Sequence, residues 1–83
     1  MGLKPKYKLG EYVIDLRGLA DGTERLMLIE SRSPSLEGYT VNWTYKGPAF
    51  FVKSKPIELK YSSTITRDEK SILSLESRTV MHK

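Results

Sequence analysis

This 83-residue chain contains no cysteine. It therefore has no disulfide, no thiolate nucleophile and no cysteine-ligated zinc or iron–sulfur centre. The absence of cysteine is compatible with a reducing compartment, and we expect a cytoplasmic protein, either of its own cell or of an infected host. No apolar run approaches the roughly 18 residues of a membrane helix, and no apolar stretch follows the charged amino terminus as in a signal peptide. We expect no membrane partner.

Histidine is nearly absent as well, and the sequence motifs of catalysis are missing. The one histidine, His82, is the penultimate residue, where nothing in the sequence supplies groups that would hold a general base in place. There is no serine nucleophile elbow, no glycine-rich phosphate loop and no acidic spacing typical of a calcium loop. We expect a protein that is not an enzyme, with no cofactor, no metal and no small-molecule substrate.

Charge is distributed unevenly along the chain. The formal net charge is +4. Residues 1–9 carry three lysines and no acid, residues 10–38 carry six acids and three arginines, and residues 46–60 carry four lysines and one glutamate. This mild positive charge is compatible with nucleic acid but is far below that of a protein that coats DNA.

Alternation of apolar and polar residues dominates the first sixty positions and is typical of strands. We expect a loop over residues 33–38 and a turn at Lys46-Gly47-Pro48 because of their glycine, proline and serine content. The predicted strands are residues 11–17, 24–33, 39–45, 49–54 and 57–61.

The period of the sequence changes after residue 61. Thr66 and Glu69 form a capping box, and the apolar residues that follow have a rough helical spacing. These features predict a short helix over residues 67–77. We expect one domain, in which residues 1–61 form a small β-barrel with a basic amino-terminal arm and residues 62–83 form a carboxy-terminal extension with the short helix.

Three of the predicted strands resemble those of small β-barrel families. Residues 7–13, YKLGEYV, are similar to the first strand of Src-homology-3-like barrels, which opens on an apolar–Gly–acid–x–Val pattern. Residues 39–47, YTVNWTYKG, resemble a strand of Tudor and chromo-type barrels, and residues 57–60 resemble a closing strand. The resemblance covers residues 7–61 and implies a mainly β protein, a five-stranded Src-homology-3-like barrel with a short carboxy-terminal helix. Such barrels bind peptides, methylated side chains or nucleic acid, or act as adaptors, so the fold alone implies no single function.

Alternate positions in residues 39–45 carry Tyr39, Val41, Trp43 and Tyr45, which strand geometry places on one face. Several aromatic rings on one face are able to form a cage around a methylated ammonium group. The other interpretation is the inside of the barrel, which we favour because the chain has one tryptophan and needs its bulk. The end residues Tyr39 and Tyr45 are then expected nearer the rim than Trp43.

An apolar run in the second predicted strand is the first candidate for a binding surface. Its centre is apolar on both faces, so that one face lies uncovered unless the carboxy-terminal helix packs on it, and an exposed apolar strip is typical of protein contact. We expect a small accessory protein, of the kind found in phages and mobile elements, that binds a host protein or another copy of itself. The residues predicted to bind protein are Leu26, Met27, Leu28, Ile29 and Phe51.

The alternative surface is basic. Lysines interleaved with exposed tyrosines are what a groove for single-stranded nucleic acid requires, with charges for the phosphates and rings for stacking. The same lysines are also explained by an ordinary solvated face, by protection of an edge strand from aggregation, or by an acidic protein partner. The residues of this alternative are Lys4, Lys6, Tyr7, Lys8, Lys46, Lys53, Lys55, Lys60 and Tyr61.

Overall fold

The computed structural model of the chain describes residues 4–54 and 57–75. These residues form a mainly β protein, which confirms the predicted mainly β class, although they contain six strands where five were predicted. The helical elements include a five-residue helix, α1 (Leu16–Ala20), and a 3-10 turn (Glu69–Ser71), and Leu75, the last described residue, is also helical. The strands are β1 (Tyr12–Asp15), β2 (Arg25–Leu28), β3 (Ser31–Glu37), β4 (Thr40–Ser54), β5 (Ile57–Asp68) and β6 (Ile72–Ser74).

The long strand β4 organises the sheet. It pairs with β3 through residues 40–46, with β2 through residues 49–51 and, on its other edge, with β5 through residues 44–54. β1 continues the sheet beyond β2, and β6 continues it beyond β1. Every pairing is antiparallel. The sheet curls into a half-barrel, which is compatible with a small β-barrel fold.

The predicted turn at Lys46-Gly47-Pro48 is wrong, because β4 runs through these residues without interruption. The segment between β2 and β3 passes directly over Gly47, where a Cβ atom would lie 1.7 Å from the carbonyl oxygen of Leu28. The amide of Glu30 donates to the carbonyl oxygen of Lys46 at 3.0 Å in the same crossing. Gly47 is therefore a residue of close backbone approach, which is one of the roles of glycine within strands.

The predicted loop over residues 33–38 is also wrong for most of its length. β3 pairs with β4 residue by residue, from Ser31 opposite Lys46 to Glu37 opposite Thr40, which leaves a two-residue turn at residues 38 and 39. Gly38 has a φ of 64° in that turn, as a type II′ hairpin requires at its first central position. Pro34 is tolerated because β3 lies at an edge of the sheet, where a missing amide breaks no central ladder.

Residues 67–74 do not form the predicted helix. Arg67 and Asp68 end β5, and after the 3-10 turn Ile72–Ser74 pair with β1 as a strand. The side chains of the expected capping box are used otherwise: Thr66 lies in β5 opposite Lys46, and Glu69 binds the amino-terminal arm. Leu75 is helical, and residues 76 and 77 of that prediction lie outside the described residues.

β5 also continues without a break across the predicted boundary between residues 61 and 62. A bulge lies at this position, because Phe50 is opposite Tyr61 whereas Ala49 is opposite Ser63. Ser62 is the extra residue, and a bulge of this kind bends a strand and increases its twist. The two predicted segments therefore share one strand.

One face of the sheet carries the main core cluster, whereas Ile14, which is also fully buried, lies on the opposite face because it pairs with Leu26. Tyr45 is fully buried in the main cluster, Trp43 packs partly buried against the cluster, and Tyr39 is fully exposed at the hairpin turn. The interior interpretation of the aromatic strand is thus confirmed for Tyr45 and in part for Trp43, whereas the expectation that Tyr45 lies nearer the rim is wrong. The buried members of the cluster are Tyr7, Val13, Met27, Ile29, Tyr45 and Ile72.

Candidate protein-binding face

The face of the sheet opposite the core carries a row of apolar side chains. Strand register places Leu26 opposite Phe50 and Phe50 opposite Tyr61. The rings of Phe50 and Tyr61 are 6.1 Å apart between centroids, and those of Tyr12 and Phe50 are 6.2 Å apart. We call this surface the outer face and define it as Tyr12, Leu26, Leu28, Phe50, Val52, Leu59 and Tyr61.

The outer face is open to solvent at the side of β5. Tyr61 is 58% exposed, Leu59 is 44% exposed and Tyr12 is 37% exposed, while its other members are half-buried. Contiguous apolar surface of this kind is uncommon on a monomer that binds nothing. The outer face is therefore the strongest candidate for a binding surface among the described residues.

The residues that the sequence predicted to bind protein lie on both faces of the sheet. Met27 and Ile29 are fully buried in the core, whereas Leu26 and Leu28 lie on the outer face. Phe51 lies on the core side of the sheet, with the guanidinium carbon of Arg25 6.0 Å from its ring centre. The prediction of a protein contact through the apolar run therefore concerns Leu26 and Leu28.

Sequence reasoning did not identify Tyr12, Phe50, Val52 and Leu59 as part of this surface. Their alternation was visible within each strand, but it does not say which strands are neighbours. Tyr61 was assigned to the basic surface, and it lies beside Phe50 on the outer face. Residues 72–74 extend the sheet by pairing with β1, so they do not cover the outer face as the predicted helix would have done.

The residues predicted to bind nucleic acid are not gathered on one surface. Lys4, Lys6 and Lys8 are exposed on the amino-terminal arm. Lys46 lies on the same side of β4 as Phe50, but Lys53 lies on the opposite side of that strand. Lys60 lies opposite Phe51 and so on the core side of the sheet. Lys55 lies outside the described residues.

Tyr7 is unavailable for stacking on a base because it is 2% exposed. Its hydroxyl donates to the carbonyl oxygen of Ile72 at 3.3 Å, and burial raises its pKa. Arg32 donates from its guanidinium to the carbonyl oxygen of Tyr7 at 2.8 Å. Tyr7 thus fastens the arm to the core.

Tyr45 and Glu69 bind the backbone of the amino-terminal arm at Lys6 and Tyr7. The Tyr45 hydroxyl accepts from the amides of Lys6 at 3.0 Å and Tyr7 at 3.3 Å, and it donates to the Glu69 carboxylate. The Lys6 amide also lies 3.0 Å from Oε2 of Glu69. The arm therefore closes one end of the core through a phenol and a carboxylate.

Burial raises the pKa of Tyr45, and the hydrogen bond that it donates to Glu69 raises it further, to about 12 from an ordinary value of 10.0. Above pH 10 an unfolded chain loses this proton while the folded chain keeps it, so the unfolded state binds fewer protons. The free energy of unfolding should therefore fall as pH rises from 10 to 12, and this stabilisation is complete only below pH 10.

Ultraviolet absorbance of tyrosinate, together with unfolding in urea at several alkaline pH values, measures this effect. Tyr45→Phe should remove the latest tyrosine titration step and flatten the pH dependence of unfolding. The control is Tyr39→Phe, which alters a fully exposed ring and should leave both the latest titration step and the pH dependence of unfolding in place. An unchanged late step in Tyr45→Phe would contradict the assignment.

A buried carboxylate, Asp15, joins three strands. Nε of Arg67 lies 2.9 Å from its Oδ1, and Nη2 of Arg25 lies 3.1 Å from its Oδ2. The amide of Arg17 also donates to Oδ1 at 3.3 Å, which caps α1. With both oxygens bound in this way, the role that these contacts support is structural, since they hold β1, β2 and β5 together.

Within residues 4–54 and 57–75, no group of three or more histidine, cysteine, aspartate or glutamate side chains is placed to hold a metal ion. None of the helices in the described part of the chain is long and apolar enough to cross a membrane. Comparison with known proteins finds no family model, no curated protein and no solved structure that matches this chain.

Proposed function

We propose that this chain is a small, non-enzymatic binding module that contacts another protein through the outer face of its sheet. The observation that supports the proposal most directly is the continuous row of Tyr12, Phe50 and Tyr61, flanked by the exposed Leu59. Aromatic residues are enriched at the centres of protein interfaces, where they supply much of the binding energy.

The proposal extends to the fold family and the biological setting. The half-barrel and the YKLGEYV pattern of residues 7–13 support a variant of the Src-homology-3-like barrel, a fold that often serves as an adaptor. The chain length of 83 residues and the absence of cysteine support an accessory protein of a phage or mobile element, acting in a cytoplasm on a host protein or on another copy of itself.

The chain provides matched controls for testing the outer face. Tyr61→Ser and Leu59→Ser alter the outer face, whereas Tyr39→Ser and Leu36→Ser make the same changes at exposed positions near the β3–β4 hairpin. Removing an aromatic anchor from an interface costs about 2 kcal/mol or more, which is about thirtyfold in affinity. We expect that loss for Tyr61→Ser, a smaller loss for Leu59→Ser, and no loss for the two controls.

The measurement is affinity capture from an extract of the source cell or host, followed by titration of the purified partner against each variant by calorimetry. Circular dichroism of the four variants verifies that they are folded. A partner that binds Tyr61→Ser as tightly as the unaltered protein, but loses affinity for Tyr39→Ser, would place the contact on the β3–β4 hairpin and overturn the proposal.

Nucleic-acid binding is the second candidate, and the exposed Lys4, Lys6 and Lys8 of the arm favour it. Binding that depends on phosphate contacts weakens steeply with salt because condensed counterions are released. Electrophoretic shifts with single-stranded and duplex oligonucleotides at low and moderate salt separate the two candidates. No shift at low salt removes this candidate, whereas a salt-sensitive shift that survives Tyr61→Ser favours the arm over the outer face.

A further inference from the structure

The outer edge of β5 pairs with no strand in the described part of the chain. β5 is hydrogen-bonded to β4 along one edge only, whereas β4, β2 and β1 each have strands on both sides. An open edge presents unpaired amides and carbonyls and is a template for a further strand. The bulge at Ser62 divides this edge into two regular segments, residues 57–61 and residues 63–68, because a bulge disrupts the ladder locally. Residues 57–61 are the segment whose side chains combine opposite charges with exposed apolar groups, and we consider this segment as the one that accepts a partner.

Residues 57–61 read Ile-Glu-Leu-Lys-Tyr, a pattern that is symmetric about Leu59 except that the charge changes sign. Two copies placed antiparallel about a two-fold axis at Leu59 bring Leu59 opposite Leu59. Glu58 of each copy then lies opposite Lys60 of the other, and position 57 lies opposite Tyr61. Cross-strand pairs of opposite charge and pairs of apolar residues both stabilise antiparallel sheets.

The same charges disfavour the neighbouring arrangements. A parallel pairing in register places Glu58 on Glu58 and Lys60 on Lys60. An antiparallel pairing centred on Lys60 opposes the two lysines directly, and one centred on Glu58 opposes the two glutamates. Like charges directly opposite each other are unfavourable, so the charge order favours the register centred on Leu59 over these three arrangements.

The side chains of residues 58–61 are exposed to solvent, so they are accessible to a second copy of the chain. Leu59 and Tyr61 are 44% and 58% exposed on the outer face, and Glu58 and Lys60 are exposed on the opposite side of β5. Asp15 forms salt bridges with Arg25 and Arg67, and neither Glu58 nor Lys60 takes part in these contacts. Lys53 is the cross-strand neighbour of Glu58 in β4, but the two side chains form no salt bridge within the described part of the chain.

We propose that two copies of this chain pair through the β5 edges at residues 57–61, antiparallel and centred on Leu59, to form a two-fold symmetric dimer. The inference rests on the proposed function, because it identifies one protein partner as a second copy. The two-fold axis is perpendicular to the joined sheet, so both outer faces lie on the same side. Leu59 and Tyr61 of each copy then meet at the centre of one continuous apolar surface, and the contact is isologous.

Charge reversal tests the register without changing the outer face. Glu58→Lys creates two lysine–lysine pairs in the dimer, and Lys60→Glu creates two glutamate–glutamate pairs. We expect each single variant to dimerise at least tenfold more weakly than the unaltered protein in sedimentation equilibrium at low salt. The double variant Glu58→Lys with Lys60→Glu restores the opposite pairs, and so does an equimolar mixture of the two single variants.

A covalent measurement provides a second, independent test. Antiparallel partners directly opposite each other have Cα atoms about 4.5–5.5 Å apart, which is within the range that a disulfide bridges. Because the chain has no cysteine, Leu59→Cys introduces a single thiol and should form a disulfide-linked dimer on mild oxidation. Leu36→Cys, at another exposed position in an edge strand, is the control and should form no disulfide-linked dimer under the same oxidation.

The outcomes separate this inference from the proposed function. A monomeric unaltered protein at the highest soluble concentration overturns the dimer, as does a dimer whose affinity the single charge reversals leave unchanged. Neither result affects a partner that is captured through Tyr61, since Glu58 and Lys60 lie on the other side of β5. Conversely, a dimer with the expected charge dependence, combined with a Tyr61→Ser variant that loses no partner, supports the edge pairing and overturns the outer face as a contact surface.

Discussion

Substitution of Asp15 by alanine should remove most of the stability of this protein. Asp15 is fully buried, while the side chains of Arg25 and Arg67 are 20% and 13% exposed. Without the carboxylate, two guanidinium groups face each other in a partly desolvated space with no acceptor between them. Removing one partner from a buried ion pair typically costs about 3–5 kcal/mol, which is comparable with the whole stability of a small domain.

Urea unfolding followed by circular dichroism measures this loss. Asp21→Ala is the matched control, because Asp21 is exposed in the turn after α1 and its replacement should change the free energy of unfolding by about 0.5 kcal/mol or less. Asp15→Asn keeps the volume of the side chain and one acceptor oxygen, so we expect a loss between those of the other two variants. A loss below about 1 kcal/mol in Asp15→Ala would contradict the structural role of the carboxylate.

Replacement of Gly47 by alanine should lower the free energy of unfolding by as much as Asp15→Ala, or by more. Its Cβ atom would lie 1.7 Å from the carbonyl oxygen of Leu28 and 2.9 Å from the carbonyl carbon. Both are backbone atoms, so no side-chain rotation relieves the overlap and the segment between β2 and β3 must move away from β4. Ordinary overpacking costs about 1–3 kcal/mol, and we expect about 3 kcal/mol or more here because the displaced atoms belong to the sheet.

Gly22→Ala separates this steric effect from the general cost of replacing glycine. Gly22 has a φ of 83°, and no atom lies within 4 Å of the position that its Cβ would occupy. Its replacement should therefore cost about 1–2 kcal/mol through backbone strain alone. Hydrogen exchange supplies a local readout, since the amide of Glu30 donates to Lys46 across the crossing and should exchange faster in Gly47→Ala. Equal losses in the two variants would show that the close approach at Gly47 is unimportant.

Much of the β architecture could be predicted from alternation within the chain, and the errors share one cause. Lys46-Gly47-Pro48 has the composition of a turn, but its glycine is required by a crossing strand and not by a reversal of the chain. Thr66 and Glu69 match a capping box, yet the phenol of Tyr45 and the Lys6 amide compete for the same carboxylate. Local composition describes which conformations a segment tolerates, and contacts between distant segments select among them.

The candidate surface illustrates the same limit. Each of Tyr12, Phe50 and Tyr61 alternates with residues of the other face in its own strand, so the sequence implied on which side of its own strand each one lies. That they are neighbours depends on β1 lying beside β2, β2 beside β4 and β4 beside β5. The apolar run of β2 was assigned as a unit for the same reason, although alternation sends Met27 and Ile29 into the core and leaves Leu26 and Leu28 outside.

By itself the sequence determined the fold class, the two-sided character of each strand and the charge order of residues 57–61, because these properties follow from the period of a strand and from side-chain chemistry. Only the tertiary structure decided which strands are neighbours, which side of the sheet is covered and which edge is left open. Those outcomes depend on backbone pairing between residues far apart in the chain. Backbone amides and carbonyls are chemically alike at nearly every residue, so a strand's own sequence does not show which other strand it will pair with.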